Sequence, residues 1–330
     1  MKLENTITVV IPAYNCENTI HRSINSLKAQ SYSNFFVIIV NDGSTDGTLS
    51  KLTELVSDDK RFSVASQPNG GPGAARNKGI LLAGTEYIGF LDSDDVFKPA
   101  YLETMMAKIV NSNTDIVVCD YEKITPTGEV IKIYKARIYN DLSGEIAARL
   151  ALRSLKITSF ISNKIFKRSL FDDVSFPEKV KVNEDSATIW RLMLKASQVA
   201  FVEKVLFSYI QTNGSTMMTF NRSRLSDRIV AAKIVRKHIE LVADKISLDR
   251  EYQVYYVLNV VLSGFKQILS QSDSKVDDVI RFIKCLDYTI FTTRAVFRIW
   301  SQDKMKFTVL LCLKFACLTR HLMKILVRNS

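Results

Sequence analysis

Four short apolar runs constrain this chain more than any other feature; each is closed by polar residues and separated from the next by a stretch with helical spacing. Thr6-Ile7-Thr8-Val9-Val10-Ile11-Pro12 is rich in β-branched residues and stops at Pro, which reads as a buried strand. Residues 17–29 follow, with Ile20, Ile24 and Leu27 at helical spacing. Residues 35–40 form a second apolar strand, and 48–56 a helix with Leu49, Leu52, Leu55 and Val56 on one face. Residues 62–66 are a third strand, 73–83 a helix and 87–91 a fourth strand. Strands alternating with helices at this interval predict a parallel, doubly wound α/β sheet with helices on both faces. Such sheets bind ligands off the carboxyl ends of their strands. The unusual polar groups fall at those ends: Tyr14-Asn15, Asn41-Asp42 and Asp92-Ser93-Asp94-Asp95.

Beyond Asp95 the pattern is less regular. Residues 116–120 and 128–134 read as strands, and 186–196 as a helix that begins directly after Glu184-Asp185. From residue 223 the chain reads as helix throughout, over 229–242, 252–269 and 276–286. Charge divides the chain in the same way. Residues 211–330 hold 20 Lys and Arg against 10 Asp and Glu, which leaves +1 of the +11 net charge for residues 1–210. A basic region attracts nucleic acid, anionic lipid or a phosphate-bearing substrate, and charge alone does not choose among them. Nucleic acid is disfavoured because the chain has neither a stripe of stacking aromatics nor a docking motif. Residues 304–328 carry Lys304, Lys306, Lys314, Arg320, Lys324 and Arg328 and no acid. Their longest apolar run, 307–313, is far short of the roughly 20 residues that cross a bilayer. Lys314, Lys324 and Arg328 share one helical face with His321, and Leu311, Phe315, Leu318, Leu322 and Ile325 share another, as in a helix lying in a membrane interface. A terminal helix packed on the protein is the alternative.

The five cysteines are scattered without metal-type spacing, which points to a reducing compartment and away from a disulfide framework or a zinc site. The first residues lack the apolar run of an export signal. Together these predict a cytoplasmic protein that attaches peripherally to the inner face of the membrane.

Asp92, Asp94 and Asp95 repel one another, and a chain avoids burying such groups unpaired. A solvated turn resolves the conflict. A hard divalent cation carrying phosphate oxygens resolves it as well.

Five segments occur in order: Val9-Val10-Ile11-Pro12-Ala13-Tyr14-Asn15; Val40-Asn41-Asp42-Gly43-Ser44-Thr45-Asp46-Gly47-Thr48; Asn69-Gly70-Gly71-Pro72-Gly73-Ala74-Ala75-Arg76-Asn77-Lys78-Gly79; Leu91-Asp92-Ser93-Asp94-Asp95; and Asn163-Lys164-Ile165-Phe166 with Val182-Asn183-Glu184-Asp185. The set resembles a family 2 glycosyltransferase of the GT-A fold, as found in bacterial capsule, O-antigen and lipopolysaccharide assembly. The resemblance covers residues 6 to about 216. It implies a GT-A domain over 1–216, with a nucleotide-binding half at about 1–98 and an acceptor half at about 99–216. A basic helical region over 217–330 would follow.

The resemblance also implies roles. Pro12, Tyr14, Asn15, Asp42, Arg76 and Asp92 belong to the nucleotide pocket. Tyr14 would stack on the base, Asp42 would accept the imide N–H of uracil, and Arg76 would bind the nucleotide at an unassigned atom. Asp94, with Asp92, would hold Mn²⁺ or Mg²⁺ on the diphosphate, while Asp95 either assists or caps the next segment. Asp185, ionised at a helix N-terminus, would deprotonate the acceptor hydroxyl, with Glu184 anchoring its loop. Lys164 is expected near the diphosphate or acceptor unless solvated, and Trp190 near the same site as Asp185 unless it is core. Tyr209-Ile210-Gln211-Thr212 lacks the basic residue that the family often carries there, and Gly214-Ser215-Thr216 weakly resembles a mobile loop. The expected reaction is inverting transfer from a nucleotide sugar, most simply a UDP-sugar, to a surface-polysaccharide or lipid-linked glycan. A non-catalytic binding module of the same fold is the alternative. A dinucleotide dehydrogenase is disfavoured, because Pro12-Ala13-Tyr14-Asn15 stands where its Gly-rich turn would be.

Overall fold

The four apolar runs become the parallel half of one sheet in the computed structural model, which describes residues 5–154, 156–211, 222–243, 246–269 and 285–287. In chain order the elements are β1 (Ile7–Ala13), α1 (Ile20–Lys28), β2 (Phe35–Asp42), α2 (Thr48–Val56), β3 (Phe62–Gln67), α3 (Pro72–Leu82) and β4 (Tyr87–Phe90). They pair in the order β3-β2-β1-β4, all parallel. Ile7, Val9, Val10 and Ile11 of β1 are completely buried, because α1 and α3 cover opposite faces of the sheet. Burying each such side chain contributes about 1.5–3 kcal/mol relative to leaving it exposed. Ile20, Ile24 and Leu27 of α1 join Ile7, Val9 and Ile11 in one core. On the other face Gly79 of α3 lies so close to β1 that a Cβ built on it would stand 2.2 Å from Val10 Cγ1.

The second half of the sheet contains β5 (Val96–Phe97), α4 (Tyr101–Ser112), β6 (Ile116–Ile124), β7 (Val130–Tyr134), β8 (Leu142–Ser143), α5 (Gly144–Arg153) and β9 (Lys164–Lys167). A 3₁₀ turn over Arg168–Phe171, α6 (Glu184–Lys195) and β10 (Gln198–Ile210) follow. The strand order continues β4-β9-β6-β10-β5, with β7 on β6 and β8 on β10. β9 runs antiparallel to both its neighbours, β4 and β6. The sequence reading of 163–166 names no strand there: only Ile165 and Phe166 are apolar, with Lys on either side. β5 pairs with β10, which carries the turn after Asp95 into the sheet.

These elements form the first of two compact units, Met1–Thr219, and the second is Phe220–Ser330. Within the second unit α7 (Arg222–Val242) and α8 (Asp249–Tyr256) are joined by a hydrogen bond from the Tyr252 hydroxyl to the Ala232 carbonyl. The helix expected over 252–269 is interrupted by a π-helical segment, Val257–Leu262, before α9 (Ser263–Leu269). Ser263 Oγ donates to the Leu258 carbonyl, five residues back, within that widened turn. Among the described residues no helix is long and apolar enough to cross a membrane. The expected interfacial helix at 304–328 and the Gly214-Ser215-Thr216 loop lie outside the described residues, as does nearly all of the helix expected at 276–286.

Candidate functional site

Every strand of the parallel half delivers a polar group to the same edge of the sheet. Pro12 is tolerated inside β1 because the pairing of β1 with β4 stops at Val10↔Phe90, so no ladder partner on that side needs its missing N–H. Tyr14 follows β1 with 47% of its surface exposed, which leaves the ring available at the rim. Asn15 adopts a left-handed φ of 47° and ties two loops together: its Oδ1 accepts from Thr45 N at 2.8 Å, and its N–H donates to Ser44 Oγ at 3.1 Å. Gly47 N–H donates to Glu17 Oε2 at 2.7 Å, which closes the same rim.

Asp42 ends β2 and is buried. Its Oδ1 accepts from Gly70 N at 2.9 Å and Gln67 Nε2 at 2.8 Å, and its Oδ2 accepts from Gly71 N at 2.8 Å. A carboxylate offers about four acceptor positions, so roughly one is left for a ligand. The glycines are needed here: Gly71 sits at φ 89° immediately before Pro72 starts α3, a conformation that L residues with side chains rarely adopt.

α3 carries Arg76 to the centre of the site, where its side chain is only 3% exposed. Nη2 meets Asp92 Oδ1 at 2.8 Å, and Nη1 meets Glu184 Oε1 at 2.9 Å and Asp185 Oδ1 at 3.1 Å. Burial alone would favour loss of the proton, but the charges of Asp185, Asp92 and Glu184 outweigh it and hold the guanidinium ionised. Phe176 covers it, with its ring centroid 5.5 Å from Cζ. Glu184 and Asp185 are the first two residues of α6, whose N-terminal dipole favours both carboxylates. Asp185 Oδ1 touches the guanidinium at 3.1 Å without forming a hydrogen bond. Burial, then the neighbouring charges of Glu184 and Asp92, raises the Asp185 carboxyl to about 8 against the opposing pull of Arg76 and Lys164. Three carboxylates thus share one guanidinium, and the cluster is short of positive charge.

Asp94 adds to that deficit. No basic side chain among the described residues pairs with it, and burial together with the charge of Asp92 pushes its carboxyl up to about 6. Among the described residues no three His, Cys, Asp or Glu side chains gather as a ready-made metal cage. Asp92 and Asp94 nevertheless fit a hard divalent cation whose remaining positions diphosphate oxygens would fill, because a buried carboxylate without a cation partner is what such an ion satisfies. Asp95 has a different role. It is completely buried, its Oδ1 accepts from Ile210 N at 2.9 Å, and its Oδ2 has no hydrogen-bond partner. Burial and the charges of Asp94 and Asp92 push its carboxyl well above the usual range, and the bond from Ile210 N–H links the aspartate turn to β10.

For two further residues the structure decides between the alternatives that the sequence left open or rules one of them out. Lys164 does not reach solvent. It is buried within β9, and Nζ donates to the carbonyls of Thr158 at 2.8 Å and Phe160 at 2.5 Å and to Asn163 Oδ1 at 2.7 Å. Burial lowers its ammonium to about 7. Lys164 shapes the 158–163 loop, since each of those carbonyls would otherwise be an unpaired polar group at the sheet edge. Trp190 is core: it is 1% exposed on α6, and its indole N–H has no partner. The sequence reading missed Ser23, which stands on the apolar face of α1 and donates to the carbonyls of Asp95 at 2.8 Å and Asp92 at 3.2 Å. A lone Ser between Ile20, Ile24 and Leu27 was the available signal. Gln67, at the end of β3, left none.

The sequence profile of Glycosyl transferase family 2 matches residues 8–175. Among curated relatives, the putative glycosyltransferase EpsH of Bacillus subtilis is 35% identical over 62% of this chain and 60% of its own length. Glycosyltransferase GlyG of Streptococcus pneumoniae is 30% identical over 66% of this chain and 74% of its own. The chain thus spans less than two thirds of EpsH, and it spans 38% of S. pneumoniae glycosyltransferase GlyA, to which it is 28% identical. Among solved structures, S. aureus TarS 1–349 in complex with UDP-GlcNAc superposes with a TM-score of 0.62 at 21% identity, covering 88% of this chain and 83% of that one. The mannosyltransferase PcManGT of Pyrobaculum calidifontis, in complex with GDP-Man and Mn²⁺, gives 0.52 at 16% identity over 94% and 86%. At these identities the structural likeness concerns the fold.

Proposed function

The chain belongs to glycosyl transferase family 2, and on that premise we propose that it transfers a sugar, with inversion, from a nucleotide donor to the hydroxyl of a glycan acceptor. The observation that carries the proposal is the meeting of Asp92 with Glu184 and Asp185 on one guanidinium, at the strand edge that also presents Tyr14 and Asp42. Tyr14 packs its exposed ring on the base, beside Pro12 and Asn15. Asp42 uses its remaining acceptor position for the imide N–H of a uracil, which is why a UDP-sugar is the donor proposed. Asp92 and Asp94 would hold Mn²⁺ or Mg²⁺, which would neutralise charge on the departing diphosphate. Asp185 takes the proton of the acceptor hydroxyl as that oxygen attacks the anomeric carbon on the face opposite the diphosphate. A base whose proton affinity lies near neutral suits this step. The glycosidic bond forms, the bond to diphosphate breaks, and the proton rests on Asp185 until it exchanges with water.

In this reading residues 1–216 are the catalytic domain, and the acceptor is a growing surface-polysaccharide or lipid-linked glycan of the capsule or lipopolysaccharide kind. The basic region 217–330 serves to bring the enzyme to the anionic inner face of the cytoplasmic membrane.

The test is a Mn²⁺-dependent donor-hydrolysis screen of the full chain over a panel of nucleotide sugars, with Asp94→Ala and Asp185→Asn alongside. Hydrolysis of one UDP-sugar, lost in Asp94→Ala, is the expected result. A wild-type protein that neither turns over any donor nor binds UDP with Mn²⁺ in calorimetry would sink the proposal in favour of a non-catalytic module.

A further inference from the structure

We infer that Arg76 is a positioning residue for the transfer step, one that sets the base Asp185 in register with Asp92 and does not touch the nucleotide. The inference rests on the function proposed above and concerns how that site is assembled. Its starting point is the set of partners the guanidinium already has. Both terminal nitrogens are engaged by carboxylates, at 2.8 Å to Asp92, 2.9 Å to Glu184 and 3.1 Å to Asp185. The third nitrogen, Nε, is buried without a partner, and the ring of Phe176 lies against the group. An arginine poised for a diphosphate would present its fork to the open side of the site. Here the fork is turned into the protein, onto the protein's own acids.

Those acids come from two elements far apart in sequence. Asp92 follows β4, and Glu184 and Asp185 open α6. Arg76 bridges them, and its own place is fixed twice. Asp42 pins the Gly70-Gly71 turn that starts α3, and Gly79, one turn after Arg76, seats α3 on Val10 of β1. Glu184 takes a hydrogen bond and Asp185 only an ionic contact, so the pair divides the work. Glu184 fastens the start of α6 to Arg76, while Asp185 is held by the ionic contact alone. The planar fork reaches all three carboxylates at once; the single ammonium of a lysine could not.

A purely structural counter-charge would make a different prediction, and kinetics separate the two. The full chain and its Arg76→Lys, Glu184→Gln and Asp185→Asn variants would be compared in three measurements: turnover of UDP-GlcNAc, UDP-glucose and UDP-galactose with Mn²⁺, calorimetric affinity for UDP with Mn²⁺, and melting temperature. Misplacing a base by about 1 Å can lower turnover about a hundredfold. Arg76→Lys is therefore expected to lower kcat by about that factor, with donor KM and UDP affinity within about threefold of wild type. A UDP affinity weakened about tenfold or more by Arg76→Lys with kcat retained would overturn the inference, because the loss of a charged hydrogen bond to the nucleotide has that size. Unchanged kcat and affinity would overturn it equally. If Arg76→Lys fails to fold, Glu184→Gln decides. That near-isosteric change takes the charge out of the fastening of α6 and leaves a weaker, neutral acceptor, and it must lower kcat without raising donor KM; otherwise the inference fails. Absence of wild-type turnover, or an Asp185→Asn variant as fast as wild type, defeats the proposed function and this inference with it. Loss of turnover in Asp185→Asn with Arg76→Lys unaffected defeats the inference alone.

Discussion

Replacing Gly79 by Ala tests how firmly α3, and with it Arg76, is seated on the sheet. A Cβ at this position would lie 2.2 Å from Val10 Cγ1, 2.8 Å from Cγ2 and 3.1 Å from Cβ. Carbon atoms in contact prefer about 3.5–4.0 Å. Turning Val10 about χ1 moves its methyls but not its Cβ, so the side chain cannot relieve the overlap by itself. Val10 belongs to a strand hydrogen-bonded on both sides, so α3 must lift. Overpacking of this kind costs about 1–3 kcal/mol. Ala is favoured over Gly in a helix interior by about 0.8–1.0 kcal/mol, which offsets part of the cost. The remaining net loss, up to about 2 kcal/mol, corresponds to a melting temperature lower by up to about 8 °C in a domain of this size. Calorimetric melting of Gly79→Ala, Val10→Ala and the double variant is the assay. Val10→Ala alone should cost about 2 kcal/mol for its buried methyls. The double variant should be more stable than the summed single losses by at least about 1 kcal/mol, because the missing methyls make room for the added one. Turnover should fall with Gly79→Ala and return in part with the double variant. A Gly79→Ala protein that melts higher than wild type, or two losses that simply add, would refute the packing argument.

Other outcomes follow from the same geometry. Asp42→Asn places an amide where two backbone N–H groups and Gln67 need an acceptor; thermal melting should show a loss of about 1–3 kcal/mol and calorimetry a UDP affinity at least about tenfold weaker. Asp94 is raised from 3.8 to about 6 by burial and by Asp92. Its stabilising contribution is therefore complete below the unfolded value and lost as pH rises through about 6, so Asp94→Asn should raise the melting temperature of metal-free protein at pH 7.5 more than at pH 5. Mn²⁺, which favours the ionised carboxylate, should stabilise the wild type more at pH 7.5 than at pH 5, and Asp94→Asn should remove most of that difference. Lys164→Met leaves the Thr158 and Phe160 carbonyls without their donor; denaturant melts should show about 2–4 kcal/mol of lost stability.

The parallel half of the sheet was legible because its strands are buried on both faces and so appear as unbroken apolar runs. The strand-end polar groups were legible for the same reason: Tyr14, Asp42 and Asp92 interrupt those runs where a doubly wound sheet binds ligands. β9 was hidden because half of its four residues are lysines, and Lys164 is buried only by virtue of three acceptors that tertiary folding supplies. The environment of Arg76 was equally out of reach. One of its partners, Glu184, lies 108 residues away in sequence, and nothing on α3 itself marks the side chain as turned inward. Asp95 and Asp94 are adjacent and chemically identical, and only the approach of the Ile210 N–H separates a structural acid from a candidate metal ligand.

β9 also imposes an order of events on the growing chain. It is the antiparallel neighbour of both β4 and β6, yet it leaves the ribosome long after β4. At about 5–20 residues per second, the roughly seventy residues between Phe90 and Lys164 take about 4–15 s to synthesise. Throughout that interval β3-β2-β1-β4 can assemble from contiguous sequence, but the outer edge of β4 has no partner. An uncovered edge of buried-type strand is a template for pairing with another chain. Ribosome-bound or truncated forms that end before residue 164 should therefore engage holdase chaperones and associate with one another, while a chain extended past Lys167 should lose that tendency as β9 slots into place.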